Sequence, residues 1–170
     1  MKGMNIKKII ILISCVVVNF YFGQSEYRDA FTLKLKVDSV RFYQQEIKKS
    51  PYFVKDDILQ IYPGEHLFIE AEVKNGKIET MKVVKDNINP EKTIEIDFSQ
   101  NTEERKNNGM LLQVKNPFNI SLMYDAMMYI VGDTRWIKTS IIPVKPQLQS
   151  FEMWNDPIIS LVLDNWRLEK

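Results

Sequence analysis

Apolar and polar side chains alternate along most of the chain after residue 30. The alternation is clearest over residues 31–37, 67–73, 94–98 and 120–130, where apolar side chains occupy every second position. A period of two places apolar side chains on one face of a β-strand, whereas an amphipathic helix needs a spacing of about 3.6 residues. The pattern therefore predicts a series of strands joined by short turns.

Turn residues and changes of phase refine this prediction. Asn75-Gly76 ends the strand over residues 67–73, and both residues tolerate the positive φ of a type I′ turn, so we expect a hairpin with a return strand over residues 78–84. The apolar phase switches near Asp38-Ser39 and again near Asp164-Asn165. Because a switch of phase needs an extra residue in the strand, we expect a β-bulge at each place.

Two segments depart from the alternation. Residues 41–49, which precede Ser50-Pro51, are predicted to form a short helix, and the polar residues 99–108 are predicted to form a loop. The rest of the chain holds about eight or nine short strands without intervening helices, which favours an antiparallel sandwich over an α/β fold. The sequence therefore predicts an all-β protein with a single antiparallel β-sandwich domain.

The first 23 residues have the features of a secretory signal peptide. Lys2, Lys7 and Lys8 precede an apolar run over residues 9–22, and Gly23 separates this run from Gln24. The run is shorter than the roughly 20 residues of a membrane-spanning helix, so a signal peptide is favoured over a membrane anchor. This prediction leaves a β-sandwich domain over residues 24–170 in a periplasmic or secreted protein, with no stable membrane span.

The predicted mature domain has no thiol, because the one cysteine of the chain is Cys15. Leu12-Ile13-Ser14-Cys15 resembles a bacterial lipobox, so a lipoprotein anchored through Cys15 is the alternative processing. Without the three lysines of the signal peptide, 20 basic side chains face 22 acidic ones. This balance gives no basic surface and argues against nucleic acid as a partner.

A set of aromatic, proline, polar and apolar residues is spread over the C-terminal third of the chain. They are Asn116-Pro117-Phe118, Tyr124, Ala126, Trp136, Thr139-Ser140, Pro143-Val144, Glu152, Trp154, Pro157-Ile158, Leu161, Leu163 and Trp166-Arg167-Leu168. With these residues the chain resembles, over roughly residues 116–168, uncharacterised exported bacterial proteins with an immunoglobulin-like sandwich. The resemblance implies an immunoglobulin-like β-sandwich, but it implies no activity.

The residues needed for most enzyme chemistry are scarce. His66 is the single histidine and lies where a turn meets a strand, and no Gly-x-Ser-x-Gly motif exposes a serine nucleophile. A mature chain without cysteine has no thiolate for catalysis or zinc, and its scattered glycines form no phosphate-binding loop. We therefore expect no enzyme activity, no catalytic residues, no metal site and no cofactor.

Paired carboxylates are the remaining candidates for catalysis or calcium binding. Glu70 with Glu72, and Glu95 with Asp97, each share one face of a strand, so neighbouring strands would bring four acids together. Acids in this pattern are also typical of the solvent face of an alternating strand. The Asp-x-Asp-x-Asp-Gly spacing of a calcium loop is absent, so the solvent-face interpretation is favoured.

Aromatic residues offer the better candidate for recognition. Trp154 lies in a segment rich in turn residues, where Glu152, Asn155 and Asp156 could surround its indole in a site for a sugar ring or a peptide. The competing interpretation is that Trp154 covers one end of the sandwich core. Trp136 and Trp166 are predicted to be core residues.

These observations favour a binding or interaction module of the bacterial cell envelope that has no enzymatic activity. Its partner would be an unknown envelope protein or a glycan. One alternative is a carbohydrate-binding module or glycan-active enzyme that uses Trp154 and the nearby acids. A second alternative is a structural subunit of an envelope assembly.

Overall fold

A computed structural model describes residues 26–103 and 106–169, and all regular secondary structure in them is β-strand. The predictions for the signal peptide and for Cys15 lie outside these residues. No helix in the described part of the chain is long and apolar enough to cross a membrane. The strands are β1 (Tyr27–Arg28), β2 (Phe31–Lys36), β3 (Phe42–Ile47), β4 (Ser50–Pro51), β5 (Phe53–Lys55), β6 (Ile58–Ile61), β7 (Glu65–Lys74), β8 (Lys77–Val84), β9 (Thr93–Glu103), β10 (Lys106–Lys115), β11 (Ser121–Ile130), β12 (Ile137–Thr139), β13 (Gln149–Trp154) and β14 (Ile158–Glu169).

Ten of these strands form two five-stranded antiparallel sheets that pack as a sandwich. The first sheet has the order β13-β10-β9-β7-β8, and the second has the order β12-β11-β14-β6-β5. Alternate residues of the long strands point into the space between the sheets, as the alternation predicted, and they form the main core. The all-β class and the two-sheet sandwich are therefore confirmed. The largest fully buried apolar side chains of the main core are Phe98, Leu59, Ile61, Ile69, Ile94, Ile96, Met110, Leu112, Leu122 and Ile158.

The predicted hairpin and one of the two predicted bulges are confirmed. Asn75 and Gly76 have φ angles of 51° and 74° and join β7 directly to β8. These are the two positive values that a type I′ turn requires. Asn165 also has a positive φ of 52°, and the register of β11 with β14 shifts beside it. This extra residue turns Trp166 into the core.

Three local predictions were wrong. Residues 42–47 form β3 rather than a helix, because they pair with β2 over its whole length. The segment near Asp38 is the turn of that hairpin rather than a bulge, and its carboxylate accepts hydrogen bonds from the Val40 and Arg41 amides. Most of residues 99–108 belong to β9 and β10 rather than to a loop. In each case main-chain pairing decides the structure of a segment that carries few apolar side chains.

The β2–β3 hairpin packs against the second sheet and forms a smaller core. Leu33, Leu35 and Ile47 of the hairpin are buried with Ile159 of β14. The side-chain amide of Gln100 on β9 adds a link to the first sheet, since it both donates to and accepts from the main chain of Lys36 at 2.8 and 2.9 Å. The hairpin is therefore fixed to both sheets.

Candidate functional site

Trp154 lies on the last position of β13 and closes one side of the sandwich. Its indole is half-buried and packs against the main core, and Nε1 donates a hydrogen bond to Thr139 Oγ1 at 3.1 Å. Thr139 belongs to β12 in the opposite sheet, so this bond joins the two edge strands on the same side. The geometry matches that of a core cover, and binding by this indole stays a prediction.

The three polar neighbours of Trp154 do not converge on its indole as a set. Glu152 shares the inner side of β13 with Trp154, and its Oε1 accepts a hydrogen bond from the Ile142 amide at 2.9 Å. Asn155 and Asp156 are exposed in the turn between β13 and β14. The carboxylate of Glu152 therefore holds the segment after β12, while the two turn residues face solvent.

The other two tryptophans differ in burial. Trp166 is buried and stacks on Tyr124, with the ring centroids 4.9 Å apart, so its predicted place in the core is confirmed. Trp136 was predicted to be a core residue and is instead 39% exposed. It precedes β12 and lies on the outer face of the second sheet, where its ring is 5.3 Å from that of Tyr129. Trp136 is therefore exposed on this face beside Tyr129, which is half-buried against the smaller core.

The four predicted acids do share one surface, because β7 and β9 are neighbours. Basic side chains neutralise the two strands' acids: Glu70 lies 3.2 Å from both Lys82 and Lys92, and Glu95 lies 2.9 Å from Lys115. The remaining acid–base contacts are Glu72 with Lys92 at 2.7 Å and Asp97 with His66 at 3.5 Å. No group of three or more His, Cys, Asp or Glu residues among those described could hold a metal ion.

Two shallow clefts lie on the described part of the protein. One, of about 450 Å³, lies beside β8 and is lined by residues including Asp56, Asp57, Glu79 and Trp166. The other, of about 510 Å³, lies between the β2–β3 hairpin and the first sheet. Its lining includes Lys34 and Lys36, whose ammonium groups both lie over the ring of Phe42 at the mouth of the cleft. Neither lining brings a nucleophile together with a histidine base.

The outer edge of β13 presents main-chain groups that pair with no other strand among the described residues. The Asn116 amide donates to Leu148 O at 2.9 Å, and hydrogen-bonded pairs then alternate along the antiparallel ladder of β10 with β13. The main chain of residues 150, 152 and 154 therefore points to β10, and that of Gln149, Phe151 and Met153 points outward. None of the described residues forms a hydrogen bond with the main chain of Phe151 or Met153 at this edge. We call the outward side of residues 149–153 the β13 edge.

The side chains of this strand are unusually apolar for an edge. Phe151 and Met153 are 59% and 65% exposed on the outer face of the first sheet, and Met153 lies beside Leu111 of β10. Glu152 is the only charged residue of β13, and it points inward. Natural edge strands usually carry charges, and β8 at the opposite edge of the same sheet has Lys77 and Glu79. Among the described strands, β13 thus combines exposed apolar side chains with main-chain groups that no other strand pairs.

The β13 edge does not follow from the strands that the sequence predicts. None of these strands lies between residues 144 and 159, because residues 151–157 are rich in turn residues. The alternation of Phe151 and Met153 with Ser150 and Glu152 is the signal of a strand, but Trp154 adds an apolar residue in the other phase. Comparisons with protein families, curated proteins and solved structures found no match for this chain.

Proposed function

We propose that the protein is an exported interaction module of the bacterial cell envelope, without enzymatic activity, and that it binds an extended polypeptide segment at the β13 edge. The observation that carries this proposal is the open edge itself, with outward main-chain groups at Phe151 and Met153 beside exposed apolar side chains. A strand added there would gain main-chain hydrogen bonds from the edge and side-chain contacts from the outer face. An immunoglobulin-like relationship is part of the proposal and accords with the two-sheet sandwich.

Site-specific photo-cross-linking in a bacterial host tests this function. A photoreactive residue at position 151 should cross-link to a polypeptide of the envelope, while the same residue at position 79 on the β8 edge should not. Met153→Lys places a charge at the edge and should remove the cross-link from position 151. Equal cross-linking from positions 151 and 79, or cross-linking that Met153→Lys leaves unchanged, would contradict the proposed binding surface.

Export is tested separately by intact-mass analysis of the protein recovered from the cytoplasm, the membranes, the periplasm and the medium. The expected product begins at Gln24, after loss of residues 1–23. A retained Met1, or a lipid on Cys15, would overturn this processing and favour a cytoplasmic protein or a lipoprotein respectively. Neither result depends on what binds at the β13 edge.

A second candidate function is glycan binding, and the observation that favours it is the exposed ring of Trp136 beside the half-buried ring of Tyr129. Aromatic rings on the outer face of a sheet can stack on sugar rings. Because the indole of Trp154 donates its hydrogen bond to Thr139, we place the candidate glycan site at Trp136. Peptidoglycan fragments should quench the tryptophan fluorescence of the wild-type protein and leave that of Trp136→Ala unchanged. Equal quenching of both proteins would contradict a Trp136 site.

A further inference from the structure

We infer that the segment that occupies the β13 edge is β13 of a second copy of the chain, paired antiparallel about a twofold axis at Phe151. This inference rests on the proposed function, because it uses the same edge. Pairing of this kind would join the first sheets of two copies into one continuous sheet and give a symmetric dimer.

The main-chain register supports self-pairing. Outward-pointing groups occur at Gln149, Phe151 and Met153, which are evenly spaced about Phe151. A twofold axis there places Phe151 opposite Phe151 of the second copy, and Gln149 opposite Met153. These residues then form hydrogen-bonded pairs of an antiparallel ladder. In each pair the main-chain N–H of each residue donates to the C=O of the other. The edge is therefore complementary to itself without a bulge or a change in β13.

Side chains and charges agree with this register. On the outer face the pairing brings the two exposed Phe151 rings side by side, and each Met153 covers the aliphatic part of a Gln149. The carboxylate of Glu152 points inward and accepts from the Ile142 amide, so no like charges meet at the new edge. By contrast, β8 carries Lys77 and Lys82, and its charged side chains protect that edge from pairing.

The size of the contact determines how strong the dimer should be. A pairing over five residues buries less than the roughly 1,200–2,000 Å² of a standard stable interface. We therefore expect a weak dimer that forms and dissociates with concentration. The high local concentration of an envelope assembly would favour it.

Cysteine cross-linking tests the register directly. In full-length protein carrying Cys15→Ser, Phe151→Cys should form a disulfide dimer on mild oxidation, because hydrogen-bonded partners lie about 5.5 Å apart between Cα atoms. Gln149→Cys is the matched control, since its own copy would lie more than about 13 Å away along the strand. A mixture of Gln149→Cys and Met153→Cys should cross-link, whereas each protein alone should not.

Sedimentation tests the dimer without a cross-link. Because so small an interface binds weakly, the wild-type protein should shift from monomer to dimer between about 10 and about 500 µM. Phe151→Lys places like charges opposite each other and should raise the dissociation constant by about tenfold. Phe151→Glu should do the same, and a mixture of the two variants should restore the dimer. Val54→Lys, at an exposed position of β5 in the other sheet, is the control and should dimerise like wild type.

The results separate this inference from the proposed function. A protein that stays monomeric to about 500 µM, but cross-links from position 151 to another envelope protein, would overturn self-pairing and support the interaction module. A monomer without any cross-link from position 151 would overturn both. A dimer with equal cross-linking of Phe151→Cys and Gln149→Cys would overturn the proposed register.

Discussion

Arg28 Nε donates a hydrogen bond to Glu65 Oε1 at 2.7 Å, and Arg28 is only 2% exposed. The guanidinium lies between the rings of Tyr52 and Tyr62, at 4.7 and 4.9 Å from their centroids. It also donates to Ser50 Oγ, Pro51 O and Gln60 O. Every face of the charge is thus occupied, so this ion pair fixes the first described strand to the sandwich.

Arg28→Ala should therefore be strongly destabilising. It leaves the carboxylate of Glu65 without its cation in a largely buried position, which typically lowers the free energy of unfolding by about 3–5 kcal/mol. Chemical denaturation measures the change. The matched control is Arg41→Ala, because Arg41 pairs with Asp38 on the surface and its loss should have little effect. Similar losses for both variants would contradict the role assigned to Arg28.

The sequence predicted the sandwich because alternation at period two is set by the sheets themselves. Residues 121–130 alternate between buried and half-buried along the whole of β11. Alternation did not reveal β3, where Gln45 lies on the same side as the buried Ile47 and interrupts the apolar pattern. Strand pairing with β2 stabilises β3 instead, and that pairing is not encoded in the local pattern.

The site was harder to predict, because it depends on which strands lie at the edges of the sheets. Phe151 and Met153 alternate as in any strand, and only the order of the described strands shows that β13 lies at the edge of its sheet. Likewise, Arg28 and Glu65 are 37 positions apart, and no spacing rule joins them. The exposure of Trp136 also depends on strand order, because Trp136 directly precedes β12, a three-residue strand at the edge of the second sheet.

The Glu70 carboxylate should make stability depend on acid pH. Burial raises its pKa, but hydrogen bonds from Asn89, Lys82 and Lys92 outweigh burial and hold the pKa below its ordinary value of 4.5. The ionised group therefore stabilises the folded protein above this pH, and its contribution is lost as the pH falls below it. Thermal unfolding between about pH 7 and about pH 3 should be less pH-dependent in Glu70→Gln than in wild type. Equal pH dependence would contradict this account.

Gly109 should be intolerant of a side chain for two reasons. Its φ is +100°, and a Cβ would lie 2.9 Å from the main-chain oxygen of Trp154. Gly109→Ala should therefore destabilise the protein by more than the roughly 1–3 kcal/mol expected from an unfavourable φ alone. Gly132→Ala is the matched control, because its φ is +92° and a Cβ there meets nothing within 4 Å. Equal unfolding free energies for the two variants would show that β13 moves aside without penalty.

Truncation of Trp154 should lower the free energy of unfolding more than truncation of Trp136. The Trp154 indole packs against the main core and bonds to Thr139, so Trp154→Ala should lower the free energy of unfolding by about 3 kcal/mol. Trp154→Phe keeps most of the ring contact but loses the hydrogen bond. This variant should lower the free energy of unfolding by about 1 kcal/mol. Trp136→Ala removes an exposed ring that contacts Tyr129. This variant should lower the free energy of unfolding by less than about 1.5 kcal/mol.

Thermal and chemical unfolding of the three variants distinguish a structural role for Trp154 from a recognition role. A structural Trp154 gives the largest loss for Trp154→Ala and smaller losses for Trp154→Phe and Trp136→Ala. If Trp154→Ala instead unfolds like wild type while cross-linking from position 151 is weakened, the indole contributes to binding, as its position beside Glu152, Asn155 and Asp156 first suggested. The hydrogen bond to Thr139 closes the side of the sandwich between β12 and β13, so we expect the structural outcome.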